Sequence, residues 1–323
     1  MLHQKVVISK TPLRVSFAGG GTDIPYFYKK YSGATVSCAI DKYIYVTVKY
    51  HNNFGFKYRL NYSLTEQVNS IDEIKNLRIR YALKFLKIKK PLYINTFSDF
   101  PANTGLGSSS SFTVGLLNAL VKLINRKLSK IKLAEIAYKI EKKITRDTLG
   151  KQDHYISVFG GFRLIRYQKK KITLRKVLKK NKLFVNSLYL VWTKQSRNSV
   201  TVLSDQKKNK TKNVKYLLQL NNLTNKFYKI MNNKKLDMVS LGEIINKSWT
   251  IKKKLSKFIT NKKIDILYKL ISGTGIYGAK LLGAGNGGFI LILANRSSIN
   301  KLKKKKINLF KFFITEKGSS IIS

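Results

Sequence analysis

The residues in this chain best able to do chemistry fall in four short segments. The first in importance is Pro101-Ala102-Asn103-Thr104-Gly105-Leu106-Gly107-Ser108-Ser109-Ser110-Ser111. Gly105 and Gly107 let a backbone approach a ligand closely, and Ser108, Ser109 and Ser110 add hydroxyls and exposed amides. A helix that starts at once points its unpaired N–H groups and positive dipole end at whatever binds there, which makes a phosphate site. No Lys follows the second glycine, so this is not a Walker A loop. Taken alone, the segment could also be a serine-capped helix after a flexible turn. The second segment is Glu141 and, twelve positions later, Asp153 in Gly150-Lys151-Gln152-Asp153. Phosphoryl transfer needs a metal ligand and a group that orients or deprotonates the acceptor, and two separate carboxylates can divide those tasks. Glu141 on a solvated face and Asp153 as a helix cap is the plainer alternative. Only 15 residues of 323 are acidic, so acids near a phosphate loop carry extra weight. The third segment, Thr11 to Asp23, runs from a strand through Gly19-Gly20-Gly21 and Thr22 to a carboxylate. Asp23 suits sugar hydroxyls, and Arg14 can hold an anion or lower the pKa of a nearby acid. The fourth, Lys280 to Phe289, is a glycine-rich turn before a strand.

Elements must carry these segments. Val6-Val7-Ile8 and Leu13 to Phe17 read as strands, and residues 34–50 as a hairpin turning at Asp41-Lys42. Leu92 to Phe97 is a short strand ending before Pro101. Val114, Leu117, Val121 and Ile124 recur at helical spacing behind Ser108. Leu133, Ile136, Ala137, Ile140 and Ile144 predict a second helix over 132–144. Beyond a lysine-rich stretch near 166–182, the pattern predicts a strand at 188–192. Helices follow over 212–232, 239–259 and 263–272, and a buried strand at 289–293. The irregular alternation argues for an α+β architecture, not a doubly wound sheet.

Together the four segments resemble the motifs of the GHMP kinases, over about residues 8–293. Thr11–Asp23 looks like motif one, Pro101–Ser111 like motif two and Gly283–Phe289 like motif three, with Asn286 replacing a common glycine. An Asn tolerates left-handed backbone geometry. Within that class Phe17–Asp23, Gly150–Tyr155 and Thr193–Ser199 are similar to the branch that phosphorylates D-glycero-D-manno-heptose 7-phosphate. The Gly-Glu-His-Thr-Asp pattern of galactokinases is absent, and the fucokinase domain is the nearest competitor. His154 stands where that branch usually has Gln and reads as a neutral swap, not a catalytic histidine.

The resemblance implies two domains, 1–170 with a ribosomal-S5-domain-2-like α/β unit and 171–323 with a ferredoxin-like α+β unit. It implies ATP with its phosphates on Gly105, Leu106, Gly107, Ser108, Ser109 and Ser110, and Mg²⁺ on Ser109 and Glu141. Asp153 would take or orient the proton of the anomeric hydroxyl, with Arg14 stabilising charge beside it. Gly21, Thr22 and Asp23 would bind the sugar, and Arg197 its phosphate. The expected product is the 1,7-bisphosphate, on the way to a nucleotide-activated heptose. Another sugar such as fucose is the alternative acceptor, and a ligand sensor without catalysis is a further alternative.

Composition bounds these readings. A hydrophobic fraction of 43% is enough for a real core. No apolar run is long enough for a membrane span, and no signal-peptide pattern opens the chain. Cys38 is the single cysteine and lies in an apolar run, so a buried thiol in a reducing cytoplasm is expected. The net charge of +49 invites a nucleic-acid reading. The basic residues are spread along the chain, however, without an aromatic-interleaved or zinc-finger pattern. Weak sticking to polyanions is expected, specific nucleic-acid binding is not.

Overall fold

Val6–Ala18 forms one long strand, β1, rather than two: its side chains alternate over residues 6–10 and are all buried over residues 11–18. The computed structural model describes residues 5–52, 55–145, 149–177, 181–196 and 199–323. Helix α1 (Pro25–Tyr31) is followed by strand β2 (Gly33–Tyr50), and then β3 (Tyr58–Asn61) and β4 (Thr65–Val68). Helix α2 (Leu77–Leu86), β5 (Leu92–Ser98), α3 (Ser108–Leu123), α4 (Lys130–Thr145) and α5 (Gln152–Phe159) come next. The hairpin β6 (Phe162–Tyr167) and β7 (Ile172–Lys176) leads to α6 (Lys182–Asn186) and β8 (Leu188–Trp192). Four helices follow: α7 (Ser199–Lys208), α8 (Lys210–Met231), α9 (Met238–Lys253) and α10 (Lys262–Ser272). The chain closes with β9 (Gly278–Leu281), β10 (Phe289–Leu293), α11 (Arg296–Lys304), β11 (Leu309–Lys311) and β12 (Ser320–Ile321).

The expected hairpin at Asp41-Lys42 is not formed, because β2 runs straight through it. Val36, Cys38, Ile40, Ile44, Val46 and Val48 are all buried and all at even positions, so the same face is buried on both sides of Asp41-Lys42. No glycine is present there to supply a hairpin turn. Instead β2 changes partners at that point. Residues 33–38 pair with β6 and residues 44–50 with β5. The gap is filled from the far end of the chain: Asp41 N–H donates to Phe313 O at 2.9 Å, and Thr315 N–H to Ala39 O at 3.0 Å.

Two sheets result. The larger has eight strands in the order β12-β1-β2-β5-β3-β4, with β6 also on β2 and β7 on β6. The residue 170/171 boundary lies inside the β6–β7 hairpin, and β12 returns to β1, so strands from both sides of it share this sheet. The smaller sheet, β11-β8-β10-β9, is antiparallel throughout. Its strands come in the order β-α-β-β-α-β along the chain, which is the ferredoxin-like pattern. Helices α2, α3, α4 and α5 pack together, α3 against β1 and β2, while α9 and α10 cover β9. The α+β architecture is therefore as the pattern predicts. No helix among the described residues is long and apolar enough to cross a membrane. Cys38 is buried, which pushes its thiol pKa above the ordinary value.

Candidate active site

The start of α3 is the site's anchor. Its N-cap is Gly107 in a left-handed conformation with φ 76°, and no side chain caps the helix. The N–H groups of its first turn therefore face the cleft without an intrahelical acceptor. Gly105 also has positive φ, and a Cβ there would lie 2.8 Å from Leu282 O, so only glycine fits between α3 and the fourth segment. Phe289 N–H donates to Thr104 O at 2.9 Å, which ties β10 to the same loop. Asn286 is in the left-handed region at φ 61°, as its tolerance for that geometry predicts.

Arg14 projects from β1 under this loop and is almost fully buried. Its Nε and Nη2 donate to Asp153 Oδ1 and Oδ2 at 2.7 and 2.5 Å, and Nη1 donates to Gly105 O at 2.5 Å. A bidentate guanidinium–carboxylate pair is strong and rigid. It joins β1, the glycine loop and α5. Asp153 lies in the first turn of α5, with its side chain 24% exposed. Burial alone would raise its pKa, but Arg14 and the Gln152 amide outweigh that and lower it.

Glu141, on α4, is 1% exposed and not on a solvated face. Arg78 Nε donates to its Oε1 at 2.6 Å, and Ser110 Oγ to its Oε2 at 2.7 Å. His154 Nε2 lies 2.9 Å from the same Oε2. Burial alone would push this carboxyl up. His154, Arg78 and Ser110 together hold it well below the usual carboxylate range. His154 thus faces Glu141 across the α4–α5 contact.

Asp23 is buried and tied to backbone: Gln152 N–H donates to Oδ2 at 2.8 Å and Gly21 N–H to Oδ1 at 3.2 Å. A Cβ on Gly150 would come 2.0 Å from Oδ2, so glycine is required for this approach. Burial raises the Asp23 pKa, and the neighbouring charge of Asp153 adds to the rise while the N–H donors partly offset it. Two neighbouring carboxyls are thus pushed in opposite directions, a pattern that suits different tasks. The α5 entry is braced from below, where Lys151 Nζ donates to Glu135 Oε1 and Oε2 at 2.6 and 2.8 Å.

A cleft of about 260 Å³ collects Arg14, Asp23, Glu141, Asp153 and the Gly107–Ser110 turn. A second cavity of about 460 Å³ adjoins it through Arg78, Asn103, Ser108 and Ser109, and adds Tyr62, Phe97 and Phe100. Most expected residues therefore converge, with these differences. Thr22 is fully buried, its hydroxyl 2.8 Å from Gly19 O and Ala34 O, and it holds the glycine turn without lining the cleft. Leu106 is core, and only its carbonyl takes part, accepting from Arg14 N–H at 2.9 Å. Ser110 gives its hydroxyl to Glu141, whereas Ser109 lines both cavities. Arg197 lies outside the described residues. Arg78, Gln152 and Lys280 also line the cleft, and the sequence assigns them no role of their own. Only the position of Gln152 and Lys280 within glycine-marked segments points to them. Nothing local marks Arg78.

The comparisons with known proteins accord with this geometry. The model of the GHMP kinases N terminal domain matches residues 74–161 and that of the GHMP kinases C terminal matches residues 231–306, together just over half of the chain. The D-glycero-alpha-D-manno-heptose 7-phosphate kinase of Campylobacter jejuni is 29% identical over 330 residues, covering 97% of this chain and 95% of the relative. The mevalonate kinase of Methanocaldococcus jannaschii is 26% identical over 340 residues, covering 94% and 98%. Among solved structures, a D-glycero-D-manno-heptose 1-phosphate kinase from Bacteroides thetaiotaomicron superposes with a TM-score of 0.78 at 22% identity, covering 98% of this chain and 99% of that one. The chain belongs to the GHMP kinases, ATP-dependent phosphotransferases whose N- and C-terminal domains it carries in order.

Proposed function

We propose that the chain transfers the γ-phosphoryl group of ATP to the anomeric hydroxyl of D-glycero-D-manno-heptose 7-phosphate, giving the 1,7-bisphosphate and ADP. The observation that carries the phosphotransfer is the Arg14–Asp153 pair set against the uncapped start of α3 in one cleft. Motif one and a full-length relative that is a heptose 7-phosphate kinase support the acceptor. The N–H groups of Gly107 to Ser110 receive the phosphates, and the aromatic cavity of Tyr62, Phe97 and Phe100 takes the base. Asp153 accepts a hydrogen bond from the anomeric O–H and takes its proton as the new O–P bond forms and the bond to ADP breaks. Because its pKa is lowered, it is ionised and ready to accept, but it is a weak base, so orientation carries much of its effect. Arg14 fixes the carboxylate and stabilises charge near the reacting oxygen. Asp23 and the Gly21 turn line the acceptor side.

The donor set suits Mg²⁺, which commonly takes one or two carboxylates and completes its shell with phosphate oxygens and water. Glu141 is kept ionised beside the triphosphate loop, and Ser109 leaves a hydroxyl on the cleft. These two would hold the ion, which neutralises charge on the phosphates when bound. The supply of ATP fits a cytoplasmic setting. A coupled ADP-release assay across heptose 7-phosphate, fucose, galactose and mevalonate tests the reading. Turnover should be highest with the heptose phosphate. Activity only on a sugar without a phosphate would overturn the acceptor and leave the phosphotransfer standing.

A further inference from the structure

Lys280 on β9 is a buried cation that the mechanism above does not use. It is 5% exposed and lines the cleft. An ammonium has three donors, yet among the described residues its one hydrogen bond is to Phe17 O at 3.0 Å, and no carboxylate pairs with it. The carboxylates around the cleft are already engaged: Asp153 with Arg14, Glu141 with Arg78, and Asp23 with backbone N–H groups. A buried charge without a counter-charge is unfavourable. Burial and the nearby charge of Arg14 accordingly push the Lys280 pKa down to about 7.

A second, independent feature stands on the same wall. Ser248 lies on α9, the helix packed against β9, and it is buried where it borders the cleft. Among the described residues Ser248 Oγ has no hydrogen-bond partner. Buried polar groups are nearly always satisfied, so an orphan hydroxyl lining the same cleft as an under-partnered ammonium calls for an outside acceptor. The acceptor must be anionic, small enough for the cleft and rich in oxygens. We propose that Lys280 Nζ and Ser248 Oγ form a subsite for a phosphate oxygen of a bound ligand. The proposal rests on the kinase reading, which brings two phosphates to this cleft: the γ-phosphate of the donor and the phosphate of the acceptor.

Isothermal titration calorimetry on the full chain separates these sources. Lys280→Met keeps the stem and removes the charge, and Ser248→Ala removes only the orphan hydroxyl. One pair of probes is AMP-PNP against ADP, and the other is heptose 7-phosphate against the unphosphorylated heptose. Lys280→Met should bind the phosphate-bearing member of one pair about ten- to a hundredfold more weakly and leave the other member unchanged. Loss confined to AMP-PNP assigns the donor phosphate, and loss confined to heptose 7-phosphate assigns the acceptor phosphate. Ser248→Ala should weaken the same ligand by about three- to tenfold while its melting temperature stays level or rises, since the hydroxyl it loses has no partner in the protein. Equal affinity of wild type and both variants for every phosphate compound that wild type binds would overturn the subsite, whichever acceptor the enzyme uses. Lys280 would then be only a tie between β9 and β1.

Discussion

At the residue scale, the three carboxyls of the cleft differ by their surroundings. Asp153 is engaged on both oxygens by Arg14, Glu141 accepts from Arg78 and Ser110, and Asp23 is tied to backbone. Asp153→Asn keeps the shape but loses the charge that accepts the proton in the proposed reaction. Its kcat should fall by about 10²–10⁴-fold with the KM for ATP little changed, as steady-state kinetics would show. A fall below about tenfold would reduce Asp153 to an orienting role. Glu141 makes a stability prediction. Its folded pKa lies below the ordinary value of 4.5, so its contribution is present above that pH and is lost as pH falls toward the folded value. Glu141→Gln should destabilise the protein by ~3 kcal/mol at neutral pH, because Arg78 loses its counter-charge at a buried site. The drop of melting temperature below pH 4.5 should also flatten. Melting curves from pH 3 to pH 7 decide it, and a variant with the wild-type acid slope would refute the assignment. The carboxylates were legible in the sequence as candidates because acids are scarce. Their partners Arg78 and His154 were not, since a 63-residue separation from Arg78 to Glu141 leaves no local trace.

At the element scale, the proposed phosphate site depends on the junction of loop and α3. Gly105 is wedged against Leu282 O with φ at 88°. Gly105→Ala adds a left-handed strain of about 1–2 kcal/mol and pushes the fourth segment away. The melting temperature should fall by several degrees and the KM for ATP should rise more than the KM for the acceptor. An unchanged KM for ATP would separate this loop from the donor. The start of α3, the span of α4 and the strand at 289–293 were readable from period and turn residues alone. The hairpin expected at 41–42 does not form, although a polar pair between two β-rich runs looks like a turn. The strand's continuity comes from β6, β5 and the 313–315 segment pairing along it, and those partners lie far off in the chain.

At the scale of the whole molecule, the charge of +49 comes from basic residues spread along the whole chain. Within the cleft Arg14 pairs with Asp153 and Arg78 with Glu141. The excess cations should make the protein bind heparin and mixed oligonucleotides alike at low salt, with release by about 200 mM salt as counterions compete. Elution profiles measure this. Retention of one nucleotide sequence over others at that salt would contradict it. The two sheets are coupled through the cleft as well: Lys280 on the smaller sheet reaches Phe17 O on the larger, and β12 closes the larger sheet from the C-terminal end.

The sequence by itself determined the chemistry on offer: a glycine–serine helix start, two carboxylates at a fixed separation, and glycine turns where backbones must meet. It could do so because helix starts, strand periods and glycine geometry are local, set by a few neighbouring residues. Only the tertiary structure decided which groups share a proton or a charge. Asp153 meets Arg14 across 139 positions, Ser110 rather than Ser109 meets Glu141, and Thr22 turns inward to the backbone. Electrostatic and hydrogen-bond pairing depends on distances of a few ångströms in space. Packing of β1, α3 and α5 around one glycine loop sets those distances, and no spacing along the chain encodes them.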